Sequence, residues 1–336
     1  MKTKHKKLTM ILGVVIALCL VYVGLLATRH TTVPFLYRHK AGAFYTIGVY
    51  HTDNPLFVDM DSVQTIDWEL THTHPLCKFM ADPFIVNSND TLYIFYEHFP
   101  AQMNSTWGDV GVLRSLDGGY SWTFLGIALD EPFHLSFPNV FQYKGDWYML
   151  PSAGDARQLR LYKSTDFPMH WELCKVLRDD YLYCDPMLYI KDSVCYLFAS
   201  EDHENRFALY TADSLTGTYI EHPCSPIRNV WNNHTRLAGR VFDYEGHPYL
   251  FMQEHYEAYG SSTATFRIDT LSPTQYCDIK ADTVPIIALS GGGWNANGMH
   301  TYNVTTYKGH YVAVMDGSRE HKKIWGWDWR NIPIFR

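Results

Sequence analysis

The sequence contains no C-x-x-C pair. Its seven cysteines are scattered at 19, 77, 174, 184, 195, 224 and 277, whereas structural zinc sites are built on closely spaced thiols, so zinc is not expected. Cys19 lies within an apolar run; the other six are an even number, consistent with zero to two disulfides in an oxidising compartment. An excess of basic charge is also lacking. Against 28 Lys and Arg stand 35 Asp and Glu, a formal net charge of −7. Lys2, Lys4, Lys6 and Lys7 crowd the first seven residues, and without them the balance falls to −11. That excludes nucleic acid as a partner and argues against an anionic membrane surface for everything beyond the tail. Helical periodicity is missing after residue 27.

What is present begins with Leu8 to Ala27, twenty residues without a charge. At about 1.5 Å per residue this run is long enough to span a bilayer as a helix. The lysines before it are expected to stay in the cytosol. Leu25-Leu26-Ala27 lacks a small-x-small cleavage pattern, which favours a retained anchor over a cleaved signal peptide. The expected organisation is a basic cytosolic tail (1–7), a transmembrane signal anchor (8–27), a stem (28–40) and one large domain (41–336) in the lumen, the periplasm or outside the cell.

That domain is rich in aromatic residues, and the whole chain is 46% apolar and 15% aromatic, which suits strands more than helices. A strand, tight turn and strand recur five times. Ala81-Asp82-Pro83-Phe84-Ile85-Val86 leads past Asn89-Asp90 to Leu92-Tyr93-Ile94-Phe95, and variants follow at Ser136-Phe137-Pro138-Asn139, Cys184-Asp185-Pro186-Met187, Ala238-Gly239-Arg240-Val241 and Met299-His300-Thr301-Tyr302. Measured at Pro83, Pro138, Pro186, Gly239 and His300, the spacings are 55, 48, 53 and 61. One four-stranded blade per repeat gives an all-β, five-bladed β-propeller preceded by one transmembrane helix. Singly, such X-Pro pairs read as mere strand starts; five in register define blades whose first strands line a channel, with Asp82 at its mouth. Phe44 to Tyr50 has no local partner and is expected to close the ring as the outer strand of the last blade. Ser115-Leu116-Asp117-Gly118-Gly119-Tyr120-Ser121-Trp122 fits the S-x-D-x-G-x-x-W Asp-box hairpin, in which the Asp and Gly residues shape a turn and the Trp packs between strands. Sequons at Asn89, Asn104, Asn233 and Asn303 are glycan acceptors if the host is eukaryotic.

The segments Ala81 to Val86, Pro132-Phe133-His134-Leu135-Ser136-Phe137-Pro138, Asp185-Pro186, Ala212-Asp213-Ser214-Leu215, Ala238-Gly239-Arg240 and Gly298 to Asn303 together resemble the N-terminal domain of glucosamine inositolphosphorylceramide transferases. That domain is itself similar to glycoside hydrolase family 43 propellers. The resemblance implies a site that acts on a glycan or glycolipid. In the family 43 pattern an inverting hydrolase takes a base from blade one, a tuning carboxylate from blade three and a general acid from blade four, the two reacting carboxyls being about 6.5–9.5 Å apart. Asp82 matches the base and Asp185 the tuning position. Blade four reads Thr235-Arg236-Leu237-Ala238-Gly239-Arg240 and offers no Glu. Glu97, Glu201 and Glu254 each follow a second strand, which is expected to run away from the mouth; among them Glu254 is the candidate acid.

Arg236 and Arg240 are candidate substrate ligands, planar forks for a uronic acid, a sialic-type sugar or a phosphorylated glycan; the alternative is that Arg240 neutralises Asp82 or Asp185. His134 and Asn139 are placed to meet sugar hydroxyls. Trp294, on a glycine-rich loop, reads either as a sugar-stacking ring or as a packed rim residue. By resemblance His300 is directed at a central calcium or similar ion; as a bare feature it reads as a hydrogen-bonded wall residue. No cofactor is otherwise required. No D-x-D motif in a suitable loop supports sugar transfer by this domain itself. Two readings remain open, a membrane-anchored propeller of glycoside hydrolase type and a non-catalytic glycan-binding or glycosyltransferase-accessory propeller.

Overall fold

The computed structural model describes residues 2–28, 36–39, 42–66, 77–100, 107–201, 206–229, 233–255, 259–321 and 324–327. It divides into two units. The smaller contains the helix Lys2–Thr28 and an antiparallel strand pair, Leu36–His39 with Ile324–Trp327. The expected anchor lies on that helix. Side chains there are described at 6–7 and 10–22, and among the described residues no helix is long and apolar enough to cross a membrane. The expected stem, apart from Thr28 and the strand Leu36–His39, falls outside the described residues.

The larger unit is a five-bladed propeller, each blade an antiparallel sheet in which successive strands pair. Blade one is Cys77–Ser88, Thr91–Pro100, Asp109–Ser115 and Thr123–Leu129. Blade two runs from Ser136–Tyr143 to His170–Arg178, blade three from Tyr183–Lys191 to Ile220–Glu221, and blade four from Asn233–Leu237 to Tyr276–Lys280. Blade five takes Tyr302–Tyr307 and His310–His321 from the C-terminal side and Gly42–Thr52 and Gln64–Thr65 from the N-terminal side. Thus the early strand does close the ring, but as the third strand, fully paired from Gly42↔His321 to Thr52↔Tyr311; the outer place belongs to Gln64–Thr65. A one-sided position would have wasted an alternating strand whose residues 44–50 are all buried.

Blades pack face to face through aromatic and aliphatic side chains, as at the boundary of blades one and two, where Phe95 meets Trp171 edge-on at 5.8 Å within a buried group including Val112, Val140 and Met149. The Asp-box is the hinge of such a boundary. Asp117 accepts from Tyr120 N (3.1 Å), Ser121 N (2.9 Å) and Ser115 Oγ (2.7 Å), and Trp122 Nε1 donates to Gly119 O (3.0 Å). Blade two repeats the indole contact, Trp171 Nε1 to Pro168 O at 2.8 Å.

The X-Pro pairs create the channel lining. Asp82, Phe137 and Asp185 adopt positive φ of 51°, 46° and 47°, and each sits in a register shift of its first strand, between Ala81 and Phe84, Ser136 and Asn139, and Cys184 and Met187. Proline cannot donate to the ladder, so the pairing skips there, and the bulge re-aims the residue before it. Because blade two uses the same bulge for a phenylalanine, the strain is a device of the fold, not of chemistry. Blade four has no such proline. Its first strand splits around Ala238 to Val241, and a Cβ on Gly239 would lie 2.0 Å from the carbonyl oxygen of Tyr302 in blade five, where Tyr302 N donates to Ala238 O at 2.7 Å.

Asn303 is fully buried, its amide bonded to Pro83 O (2.8 Å) and its Oδ1 to Arg240 N (3.0 Å), so that sequon is closed to glycans in the folded protein. Asn89 is exposed at a hairpin tip, and Asn104 lies outside the described residues. All cysteines described are free thiols. From the seam between blades four and five we predict that Gly239→Ala destabilises the fold by at least about 3 kcal/mol, read as a fall in the urea midpoint; an unchanged midpoint would contradict the close approach.

Candidate functional site

Each first strand runs from the channel mouth to a hairpin at the far side, and the second strand returns antiparallel. The returning strands start at Thr91, Asp146, Val194, His247 and His310, where each pairs with the last residue of its predecessor in the ladder. Six residues later stand Glu97, Ser152, Ser200, Gln253 and Asp316, all polar and all buried, at 7%, 6%, 0%, 0% and 0% exposure. The expectation that second strands leave the mouth is therefore wrong: the antiparallel return pairs Glu97 with Ala81, next to Asp82.

Asp316 is the anchor of the cluster. Its Oδ1 accepts from His300 N (2.9 Å) and Thr301 N (3.0 Å), and its Oδ2 from Asp82 N (3.1 Å). His300 Nδ1 lies 2.6 Å from Asp316 Oδ2 and His300 Nε2 lies 3.7 Å from Asp82 Oδ1. Burial alone would favour a neutral imidazole, but Asp316 and Asp82 outweigh it and push His300 up to about 9, while Asp316 is held below its ordinary value by that imidazolium. Tyr45 stacks on the ring at 5.0 Å and Tyr259 meets it edge-on at 5.4 Å. Asp82 accepts from Thr301 Oγ1 (2.7 Å) and Phe137 N (3.2 Å).

Glu97 is the residue that sequence reasoning passed over. Burial, with the charge of Asp82 beside it, pushes its carboxyl well above the usual range, against the opposing pull of His300 and Arg236. His134 Nε2 is 3.5 Å from Glu97 Oε1. Because His134 Nδ1 accepts from Gly108 N at 2.8 Å, and burial keeps the ring neutral, its proton sits on Nε2 facing Glu97. Two buried acids, Glu97 and Asp82, thus share the mouth.

Asp185 is also here, but closed. Arg236 binds both its oxygens, Nε to Oδ2 and Nη2 to Oδ1 (3.3 Å), and Gln253 Nε2 donates to Oδ2 at 2.9 Å. The guanidinium also lies over the ring of Tyr259 at 5.4 Å.

Other expected residues are elsewhere. Glu254 is seven, not six, residues along its strand and faces away from the channel, bonded to His234 (2.7 Å), Ser262 (2.5 Å) and Lys280 (3.3 Å). Burial would raise its pKa, but those partners hold it lower, the reverse of what a general acid needs. Trp294 is a packed residue: a Cβ on Gly317 would sit 2.3 Å from its ring and one on Gly48 2.7 Å, so the indole lies flat against that backbone instead of presenting a face to sugar. Asn139 is 2% exposed and one level below the mouth. Arg240 pairs with neither Asp82 nor Asp185; its Nη2 donates to Ile85 O at 2.9 Å, deeper in the channel. A D-x-D triplet does occur, Asp59-Met60-Asp61, as a capped turn in which Asp59 accepts from Asp61 N and Ser62 Oγ.

Asp82, His300 and Asp316 offer ligand atoms within 4.8 Å of one another. Asp316 already accepts three main-chain bonds, so a calcium ion there, which takes six to eight oxygens, would draw most of its ligands from water.

Both His300 and Glu97 bind a proton more tightly in the folded state, so stability must fall as pH rises. The His300 contribution, roughly 3 kcal/mol, is full below its unfolded value near 6.5 and lost through about 9; that of Glu97 is lost from about 4.5 upwards. Urea unfolding from pH 5 to 9.5 should show this decline, flattened in its upper part by His300→Gln and in its lower part by Glu97→Gln. Curves for both variants that run parallel to that of the wild type over that range would overturn both assignments.

Among solved structures, the catalytic domain of a GH62 alpha-L-arabinofuranosidase from Coprinopsis cinerea covers 82% of this chain with 99% of its own at TM-score 0.53 and 12% identity, a likeness of fold alone. Among sequences, glucosamine inositolphosphorylceramide transferase 1 of Oryza sativa subsp. japonica is 37% identical over 253 residues, covering 72% of this chain and 33% of the relative. The Arabidopsis thaliana protein of the same name is 31% identical over 302 residues, covering 82% and 39%. The chain thus spans little more than a third of the length of these relatives. Residues 63–318 match the family described as "Glucosamine inositolphosphorylceramide transferase 1, N-terminal", and the chain belongs to that family.

Proposed function

We propose that the channel mouth binds the glycan of a membrane glycolipid and hydrolyses a glycosidic bond in it. One observation carries the chemistry: Glu97, a buried carboxyl pushed well above its usual range, stands beside Asp82 on adjacent strands of one blade. Pairs of acids whose environments separate their proton affinities are the machinery of glycoside cleavage. In this reading Glu97 gives its proton to the leaving-group oxygen as the bond to the anomeric carbon breaks. Asp82 takes a proton from the water that forms the new bond, leaving two hydroxyl groups. His134 holds Glu97, and the rings of Tyr259 and Tyr45 form the wall. The lipid class is suggested by the name of the relatives, which refers to inositolphosphorylceramide.

The helix Lys2–Thr28 is proposed as the signal anchor, cytosolic at its N-terminus, that holds the propeller beside such lipids on the opposite face of the membrane. The observation behind it is the uncharged run Leu8 to Ala27. Full-length chain should remain in the pellet after alkaline carbonate extraction; release into the supernatant would remove the anchor.

A second reading, glycan binding without cleavage, draws support from Arg236. It occupies the blade-four place where the hydrolase pattern has its acid, and it neutralises Asp185. The two readings separate in one assay of full-length chain in detergent on plant, bacterial and inositolphosphoryl-sphingolipid glycans. Hydrolysis predicts released sugar, lowered about 10²–10⁴-fold in kcat by Asp82→Asn and by Glu97→Gln. Glycan binding with no product from wild type would sink hydrolysis and leave an accessory propeller.

A further inference from the structure

One channel residue has no role in the mouth cluster. Counting along the ladders, Phe84, Asn139, Met187 and Asn303 pair with Phe95, Leu150, Phe198 and Val314, each four residues into its returning strand, and so occupy one level beneath Asp82. Arg240 joins that level from blade four: its main-chain N donates to Asn303 Oδ1 at 3.0 Å and its guanidinium lies 5.6 Å from the centre of the Phe84 ring.

This guanidinium has no acid beside it among the described residues. Its Nη2 donates to Ile85 O, its Nε is buried without a partner, and burial is the one influence that pushes it down, to about 10. The same level holds a second orphan donor, Asn139 Nδ2, on a side chain that is 2% exposed. Asn303 offers no acceptor in return, because its Oδ1 and Nδ2 are taken by Arg240 N and Pro83 O. A part-buried cation with no acid beside it and a buried orphan donor are both costly. A single anion relieves both; a water brings lone pairs but no charge. Phe84 and Met187 make the rest of the level apolar, which suits a small, weakly hydrated ion over a phosphate.

We propose that the channel binds a chloride-sized anion between Arg240 and Asn139, one level below Asp82. The site is separate from the mouth and does not rest on the hydrolytic reading. Its charge would favour protonation of the acids above it, so anion supply would tune whatever the mouth does.

The test compares thermal midpoints of the full chain in detergent at constant ionic strength, exchanging gluconate, too bulky for the channel, for 200 mM chloride. For a dissociation constant of about 10 mM, the wild-type midpoint should rise by about 4 °C relative to that of Arg240→Met. Asn139→Asp, which supplies a fixed negative charge at the same level, should raise the midpoint in gluconate and abolish the response to chloride. Bromide soaked into crystals should give an anomalous peak beside Arg240. Equal chloride responses in wild type and Arg240→Met, or bromide bound only elsewhere, would overturn the proposal. Should Arg240→Met fail to fold, a chloride response undiminished in Asn139→Asp would do the same.

Discussion

The carboxylate of Asp316 holds the ring together where it has most need of it. It reaches from the second strand of blade five and takes the main-chain N–H groups of His300 and Thr301 in its own blade and of Asp82 in blade one. These are the bulged or strand-entry positions at which the ladder itself provides no acceptor, and an unpaired buried N–H is costly. The carboxylate is buried, so it also needs a cation, and His300 supplies it. The imidazolium then needs shielding, and Tyr45 and Tyr259 enclose it. The polarity of the channel mouth follows from satisfying the backbone at the closing seam.

Much of this fold can be read from sequence because its signals are local and repeated. Hairpin residues, alternating strands and X-Pro pairs recur at blade spacing, and each is dictated by backbone geometry within a few residues. Asp82, Asp185, Arg236 and His300 follow from that register. The misreadings turn on single-residue offsets. Glu97 stands six residues beyond the start of its return, whereas Glu201 and Glu254 stand seven beyond theirs. In a strand with period two, that one step moves a side chain to the opposite face. Glu201 accordingly pairs with Arg206 and Tyr210, and Glu254 with His234 and Lys280. The polar series Glu97, Ser152, Ser200, Gln253 and Asp316 was visible as letters, but only the direction of the returning strand gives it meaning. Trp294 was undecidable from sequence because its partners are two glycines, Gly48 and Gly317, from opposite ends of the chain.

Five equivalent positions on five returning strands also explain how a propeller changes chemistry while keeping its shape. Substitution at any of them alters what faces the channel without touching the ladder that carries it. Here blade four supplies Gln253 and Arg236, which satisfy Asp185, while blade one supplies Glu97. Neighbours set what each acid does: burial beside Asp82 raises the proton affinity of Glu97, whereas the Arg236 guanidinium pairs with Asp185.

The pairing of Gly42–Thr52 with His310–His321 has a consequence in time. During synthesis the strand that emerges first waits for the strand that emerges almost last, with four blades made in between. Until then it is an apolar edge with open hydrogen bonds, the kind of segment that pairs with the wrong chain. A ribosome that stalls or a message cut short in blade five therefore leaves far more than a missing piece: four finished sheets with both flanks of the gap exposed, and a marked substrate for quality control.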